Sequence, residues 1–126
     1  MKQIVKTEQA PEAIGTYSQA VRVKDMLYIS GQIGLQAGAT ELVSADFAEQ
    51  ARQIFKNLSA IVQAAGGDLL DIVKLNVYVT DLGNFDILNK VQAEFMDAPY
   101  PARAAVEVSA LPKGAIVEIE GIALLD

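Results

Sequence analysis

Arg103 is the first residue of this chain whose type and setting suggest chemistry. It lies in a strand-like run, ARAAVEVS (102–109), just past the rigid turn Ala98-Pro99-Tyr100-Pro101. Alternation puts Arg103, Ala105 and Glu107 on one face, and Ala104, Val106 and Val108 on the other. A guanidinium among small apolar residues is costly unless it is paired. It reads either as a fork for a substrate carboxylate or as half of a structural ion pair, for example with Glu107 or Glu118. Glu118 and Glu120 come next. They share a face of a strand otherwise built of Ile, Val, Ala and Leu. An acid in such a strand can hold a raised pKa and move protons; the alternative is a solvated sheet face. Tyr17, Ser30 and Gly31 form a third group: an aromatic hydroxyl, a strand-end hydroxyl and a position open to close backbone approach. Ordinary loop and strand-end chemistry explains each of these singly. Asn89, beside Leu88 on a helix, reads as a surface amide.

Composition limits what these groups can do. The chain has no Cys, His or Trp. Disulfides, thiolate nucleophiles, Cys- or His-ligated metals and His-dependent triads are excluded. Catalysis must run on carboxylates, Arg, Lys, Tyr, hydroxyls or backbone groups. The formal charge is −6, from 10 Lys+Arg against 16 Asp+Glu, and no basic run exists. A nucleic-acid footprint is therefore not expected. No GxGxxG, Walker, EF-hand, HExxH or GxSxG motif occurs, and the aromatics do not interleave with basic residues. No apolar run reaches the ~18 residues of a membrane span, and Met1–Lys6 is too short and polar for a signal peptide, so a cytoplasmic protein is expected. Hydrophobic residues make up 52% of the chain, and mean hydropathy is +0.26. That surplus reads as subunit contact, with a tightly packed monomer as the alternative.

The elements that must position these residues follow from periodicity. Residues 1–126 read as one domain, without repeats or linkers. Strands are expected at 3–6, 20–24 and 26–31, the last two joined at Lys24-Asp25. A helix is expected at 46–65, with Phe47, Ala51, Ile54, Phe55, Leu58, Ile61, Val62 and Ala65 on one stripe. Asp46 and Glu49 read as its capping box, and Gly66-Gly67 as its stop. Residues 72–80 alternate, with Val73, Leu75, Val77 and Val79 facing inward. A second helix at 84–96 should bury Phe85, Leu88, Val91 and Phe95. Strands at 102–109 and 115–124 complete the order β-β-β-α-β-α-β-β. Two apolar helix stripes require one sheet face, giving a two-layer α+β sandwich with two helices on one side. The opposite sheet face stays apolar and uncovered, as an oligomer would require.

Five segments then resemble one family. AIGTYSQAV (13–21), LYISGQIG (27–34), QARQIFKNLSAIVQAAG (50–66), DIVKLNVYVTDL (71–82) and above all YPARAAVEVSALPKGAIVEIEGIAL (100–124) resemble the RidA/YjgF proteins, the reactive-intermediate deaminases. The resemblance spans nearly the whole chain. It implies a chorismate-mutase-like α+β fold with a mixed sheet, assembled as a homotrimer around a barrel-like core, with ligand clefts between subunits. It implies hydrolysis of 2-imino acids and their enamine tautomers to 2-keto acids and ammonia, without metal or organic cofactor. It assigns Arg103 to the substrate carboxylate, and Glu118 rather than Glu120 to proton transfer. It assigns the backbone carbonyl of Ala105 to the attacking water, and Tyr17, Ser30, Gly31 and Asn89 to the cleft. Ala105 departs from the Cys found in many members, but it keeps the carbonyl. Rival readings are a non-catalytic binder of small carboxylates, an endoribonuclease or translation inhibitor, and a chaperone-like holder.

Overall fold

The long helix starts where Asp46 caps it. The Asp46 carboxylate accepts a hydrogen bond from the backbone N–H of Glu49 at 3.1 Å, and helix α1 runs Phe47–Ala64. The reciprocal half of the expected capping box is missing. The backbone N–H of Asp46 donates to Ser44 Oγ at 2.9 Å, while the Glu49 carboxylate pairs with Arg52 one turn on. A helix-surface ion pair thus takes the side chain that the box needed. At the far end Gly66 enters the left-handed region, with φ 93°, and stops the helix.

The computed structural model describes all 126 residues. The strands are β1 (Gln3–Val5), β2 (Ala20–Val23), β3 (Met26–Gln32), β4 (Ile72–Val79), β5 (Ala102–Glu107) and β6 (Val117–Leu124), and the second helix is α2 (Phe85–Phe95). They form one six-stranded sheet in the order β1-β2-β3-β6-β4-β5. Every neighbouring pair is antiparallel except β4–β5. A parallel pair needs a crossover, and α2 provides it. The element order is the one expected from periodicity, with the last two strands shorter at one end.

Both helices pack on one sheet face. Ile54, Phe55, Leu58 and Ile61 of α1 and Leu88 and Val91 of α2 share a core with Leu27, Leu75, Val77, Val117 and Ile119. Burying each such side chain contributes about 1.5–3 kcal/mol before entropic costs. The result is a two-layer α+β sandwich. The opposite face carries the alternate residues: Tyr28, Val106 and Leu124 are 47%, 48% and 46% exposed there, beside Asn76, Tyr78, Glu118 and Glu120. No helix is long and apolar enough to cross a membrane.

Two expected core positions lie elsewhere. Val73 is exposed and Ile72 is buried in its place, because the β4–β6 register shifts between Ile72 and Lys74. An irregularity of this kind moves the preceding residues to the opposite face. Phe85 is 40% exposed at the first position of α2. Phe95 keeps an inward role, stacking on Phe55 at 5.4 Å between ring centroids.

Candidate active site

The acid half of the site is built on the helix-free face of the sheet. Glu118 and Glu120 project there from β6, opposite Tyr78 and Asn76 of β4. The Tyr78 hydroxyl donates to Glu120 Oε1. Glu118 is half-buried, and burial first, then the neighbouring Glu120 charge, pushes its pKa above the ordinary carboxylate value. On β3 the register slips between Ile29 and Gln32, which pair with Gly121 and Ile119. Ser30 and Gly31 are the residues inside that bulge, next to the acid. A Cβ at Gly31 would collide with the Glu118 carboxylate, so glycine makes this approach possible.

Buried amides hold the walls of this half. Gln19 is 4% exposed. Its Oε1 accepts from the Thr7 backbone N–H at 2.7 Å, and its Nε2 donates to the carbonyls of Thr7, Ala10 and Pro11. These bonds close the segment that ends at Tyr17. Ser30 Oγ donates to the Ser18 carbonyl at 2.5 Å, which leaves its lone pairs free to accept. Gln50 of α1 accepts from the Ile116 backbone N–H at 3.1 Å, anchoring the start of β6. Asn57 donates to the Leu35 carbonyl at 2.8 Å, holding the loop after β3. Together these segments enclose a cleft of about 660 Å³ that includes Tyr17, Ser30, Gly31, Lys113 and Glu118.

The cationic half lies on the helix side. Arg103 pairs with Leu75 of β4 and Ala105 pairs with Val77, so both share the core-facing side of the sheet. Arg103 Nη1 donates to Gln92 Oε1 at 2.8 Å, and its guanidinium carbon lies 5.0 Å from the Phe85 ring centroid. No carboxylate reaches it. Glu107, one of the two expected ion-pair partners, accepts instead from the Leu82 backbone N–H at 3.0 Å. The ion pairs of the chain belong to Arg52, with Glu49 and Glu94. Burial lowers the pKa of Arg103 from its ordinary value. A second cavity, of about 420 Å³, brings Arg103 together with Asn89, Gln92 and Tyr100.

Within one chain, then, Arg103 and Glu118 lie on opposite faces of the sheet. Tyr17, Ser30 and Gly31 gather around Glu118; Asn89 and Ala105 belong to the side of Arg103. Asn89 is exposed, as a surface amide would be, and it lines the cavity beside the guanidinium.

The family described as endoribonuclease L-PSP matches residues 7–125. The human 2-iminobutanoate/2-iminopropanoate deaminase is 44% identical over 124 residues, which cover 98% of this chain and 90% of the human one. RidA from an Antarctic Psychrobacter has the same fold, with a TM-score of 0.94 and 53% identity over 98% of this chain and 99% of that one. The chain belongs to the RidA/YjgF family. E. coli TdcF, solved with bound serine, is also similar: 42% identity and a TM-score of 0.93, covering 98% of this chain and 99% of that one.

In this RidA/YjgF chain two neighbours of Arg103 escaped sequence reasoning. Spacing assigns Phe85 to the core and gives Gln92 no functional role. Gln92 did carry a signal. It stands one helical turn after Leu88 on the buried stripe of α2, where an amide must find a partner.

Proposed function

We propose that this RidA/YjgF chain hydrolyses small 2-imino acids, and their enamine tautomers, to 2-keto acids and ammonia. One observation carries the reading: a half-buried Arg103 that no carboxylate of its own chain neutralises, open to a cavity. Such a guanidinium offers the free edge of its fork to a substrate carboxylate. The human relative, a 2-iminobutanoate/2-iminopropanoate deaminase, and the serine bound to TdcF support it.

The two halves of the site meet between adjacent copies of a homotrimer in this reading. The apolar residues of the open sheet face are then covered at the same time. Arg103 of one subunit grips the carboxylate, while Tyr17, Ser30 and Gly31 of the next line the opposite wall. Glu118, in its ionised form, takes a proton from water as the water oxygen bonds to the imine carbon. That proton passes to nitrogen to give the carbinolamine; its hydroxyl proton then follows to nitrogen through Glu118 as the C=O forms, the C–N bond breaks and ammonia leaves. The carbonyl of Ala105 helps to hold the water. An enamine first takes a proton on carbon to become the imine. The imine carbon is already electrophilic, so positioning and proton transfer suffice and no cofactor is required.

The test is a threonine-dehydratase-coupled assay that follows 2-keto acid release. Activity on 2-iminobutanoate should fall sharply in Arg103→Ala; full activity in that variant would overturn the role of Arg103. A second reading, a non-catalytic carboxylate binder, draws on the serine-bound relative. It predicts no acceleration by the wild type and unchanged affinity in Glu118→Gln. RNA is not the substrate in either reading, given the −6 charge and the lack of a basic run.

A further inference from the structure

We propose that Gln92 is a positioning residue that fixes the Arg103 guanidinium without neutralising it, so that the charge remains available to the substrate carboxylate. The inference rests on the carboxylate-binding role proposed above for Arg103. Gln92 is 5% exposed and lies on the same face of α2 as Leu88. Its Oε1 accepts from Arg103 Nη1 at 2.8 Å, and its Nε2 is 3.8 Å from Met96 Sδ. Two turns earlier on the same helix, Phe85 presents its ring to the guanidinium. Arg103 is therefore held by an amide oxygen and an aromatic face, both uncharged.

The choice of an amide has a chemical consequence. A glutamate at position 92 would keep the shape and the acceptor and would bind Arg103 more strongly. It would also satisfy the cation inside the chain, and a substrate carboxylate would have to compete with it. Nearby acids are engaged elsewhere. Glu94, two residues along α2, is clamped by Arg52 through Nε at 2.9 Å and Nη2 at 3.0 Å. Glu107 accepts from the Leu82 backbone. In a chain of net charge −6, Arg103 is thus supplied with a neutral cradle.

Gln92→Glu, Gln92→Leu, Phe85→Leu and Arg103→Ala decide the matter, with kcat, KM and inhibition by 2-oxobutanoate measured for each. Circular dichroism and light scattering would verify fold and assembly. Gln92→Leu should raise KM and the 2-oxobutanoate inhibition constant about tenfold through loss of orientation. Gln92→Glu should raise both further, with a smaller change in kcat. A merely structural role predicts the reverse order, since Glu preserves the hydrogen bond and Leu does not. Wild-type inhibition by 2-oxobutanoate in Gln92→Glu would overturn the proposal. If Gln92→Leu fails to fold, Gln92→Glu and Phe85→Leu still decide, the latter expected to weaken binding without adding charge. Arg103→Ala separates the two levels. Retained affinity there overturns the carboxylate role itself, whereas lost affinity there with unaffected Gln92 variants overturns only the positioning role.

Discussion

The carboxylate of Glu118 occupies the space that a side chain on Gly31 would need. A Cβ built on Gly31 would fall far inside van der Waals contact with Glu118 Oε2. The only atoms in its way belong to that one movable side chain, so the fold can accept a methyl group but the acid cannot stay in place. Gly31→Ala should therefore cost activity rather than stability. The deaminase rate should drop at least roughly tenfold, as a displaced proton-transfer group implies, with melting temperature nearly unchanged. A variant that melts much earlier at full specific activity would contradict this.

The proton-transfer role proposed for Glu118 also ties activity to pH. Burial and the Glu120 charge raise its pKa, so the folded state binds this proton more tightly than the unfolded chain. Stability contributed by the protonated form is present below the unfolded pKa and is lost as pH rises through the folded value. Glu118→Gln should consequently melt higher than wild type at neutral pH, with the advantage vanishing near the ordinary carboxylate range of about 4. Its deaminase activity should fall by roughly 10²–10⁴-fold. Paired thermal melts and assays across pH would read both.

Glu120→Gln removes the negative neighbour while leaving Glu118 in place. It should keep most of the activity and move the acid limb of the rate profile to lower pH, because one cause of the raised Glu118 pKa is gone. An unmoved limb would show that burial alone sets it.

The separation of Arg103 from Glu118 makes the proposed trimer testable by mixing. Arg103→Ala and Glu118→Gln should each be inactive alone. Unfolded together and refolded, they should regain activity, since each mixed trimer joins one intact Arg103 to one intact Glu118 across an interface. No recovery in demonstrably mixed trimers would show that Arg103 and Glu118 do not act together across an interface.

The sequence made the elements legible because their apolar spacing is unambiguous. Alternation also placed Arg103 with Ala105, and Glu118 with Glu120, on common strand faces. It could not say which side of the sheet each face was, since that depends on the pairing of Leu75 with Arg103 and of Tyr78 with Glu118. Such register is set by strands distant in sequence. Alternation misplaces Val73 for a related reason: Ile72 and Val73 are both apolar, and only the β4–β6 irregularity decides between them. The reciprocal cap at Asp46 failed because Ser44 and Arg52 offered its two groups other partners. The spacing of Phe85 marks it as core, but its ring lies against Arg103, a contact made through the crossover from β4 to β5.

That crossover has a consequence for how the protein comes together. The cradle of Arg103 draws on one uninterrupted stretch of chain, from Phe85 through Gln92 to Arg103 itself. Its contacts are short-range, and their loop-closure cost is low. The setting of Glu118 requires β3, near the start of the chain, to find β6 at its end. Contacts so remote in sequence are slow to form. During folding the cation is therefore expected to be seated before the acid, with the setting of Glu118 completed when the distant strands pair.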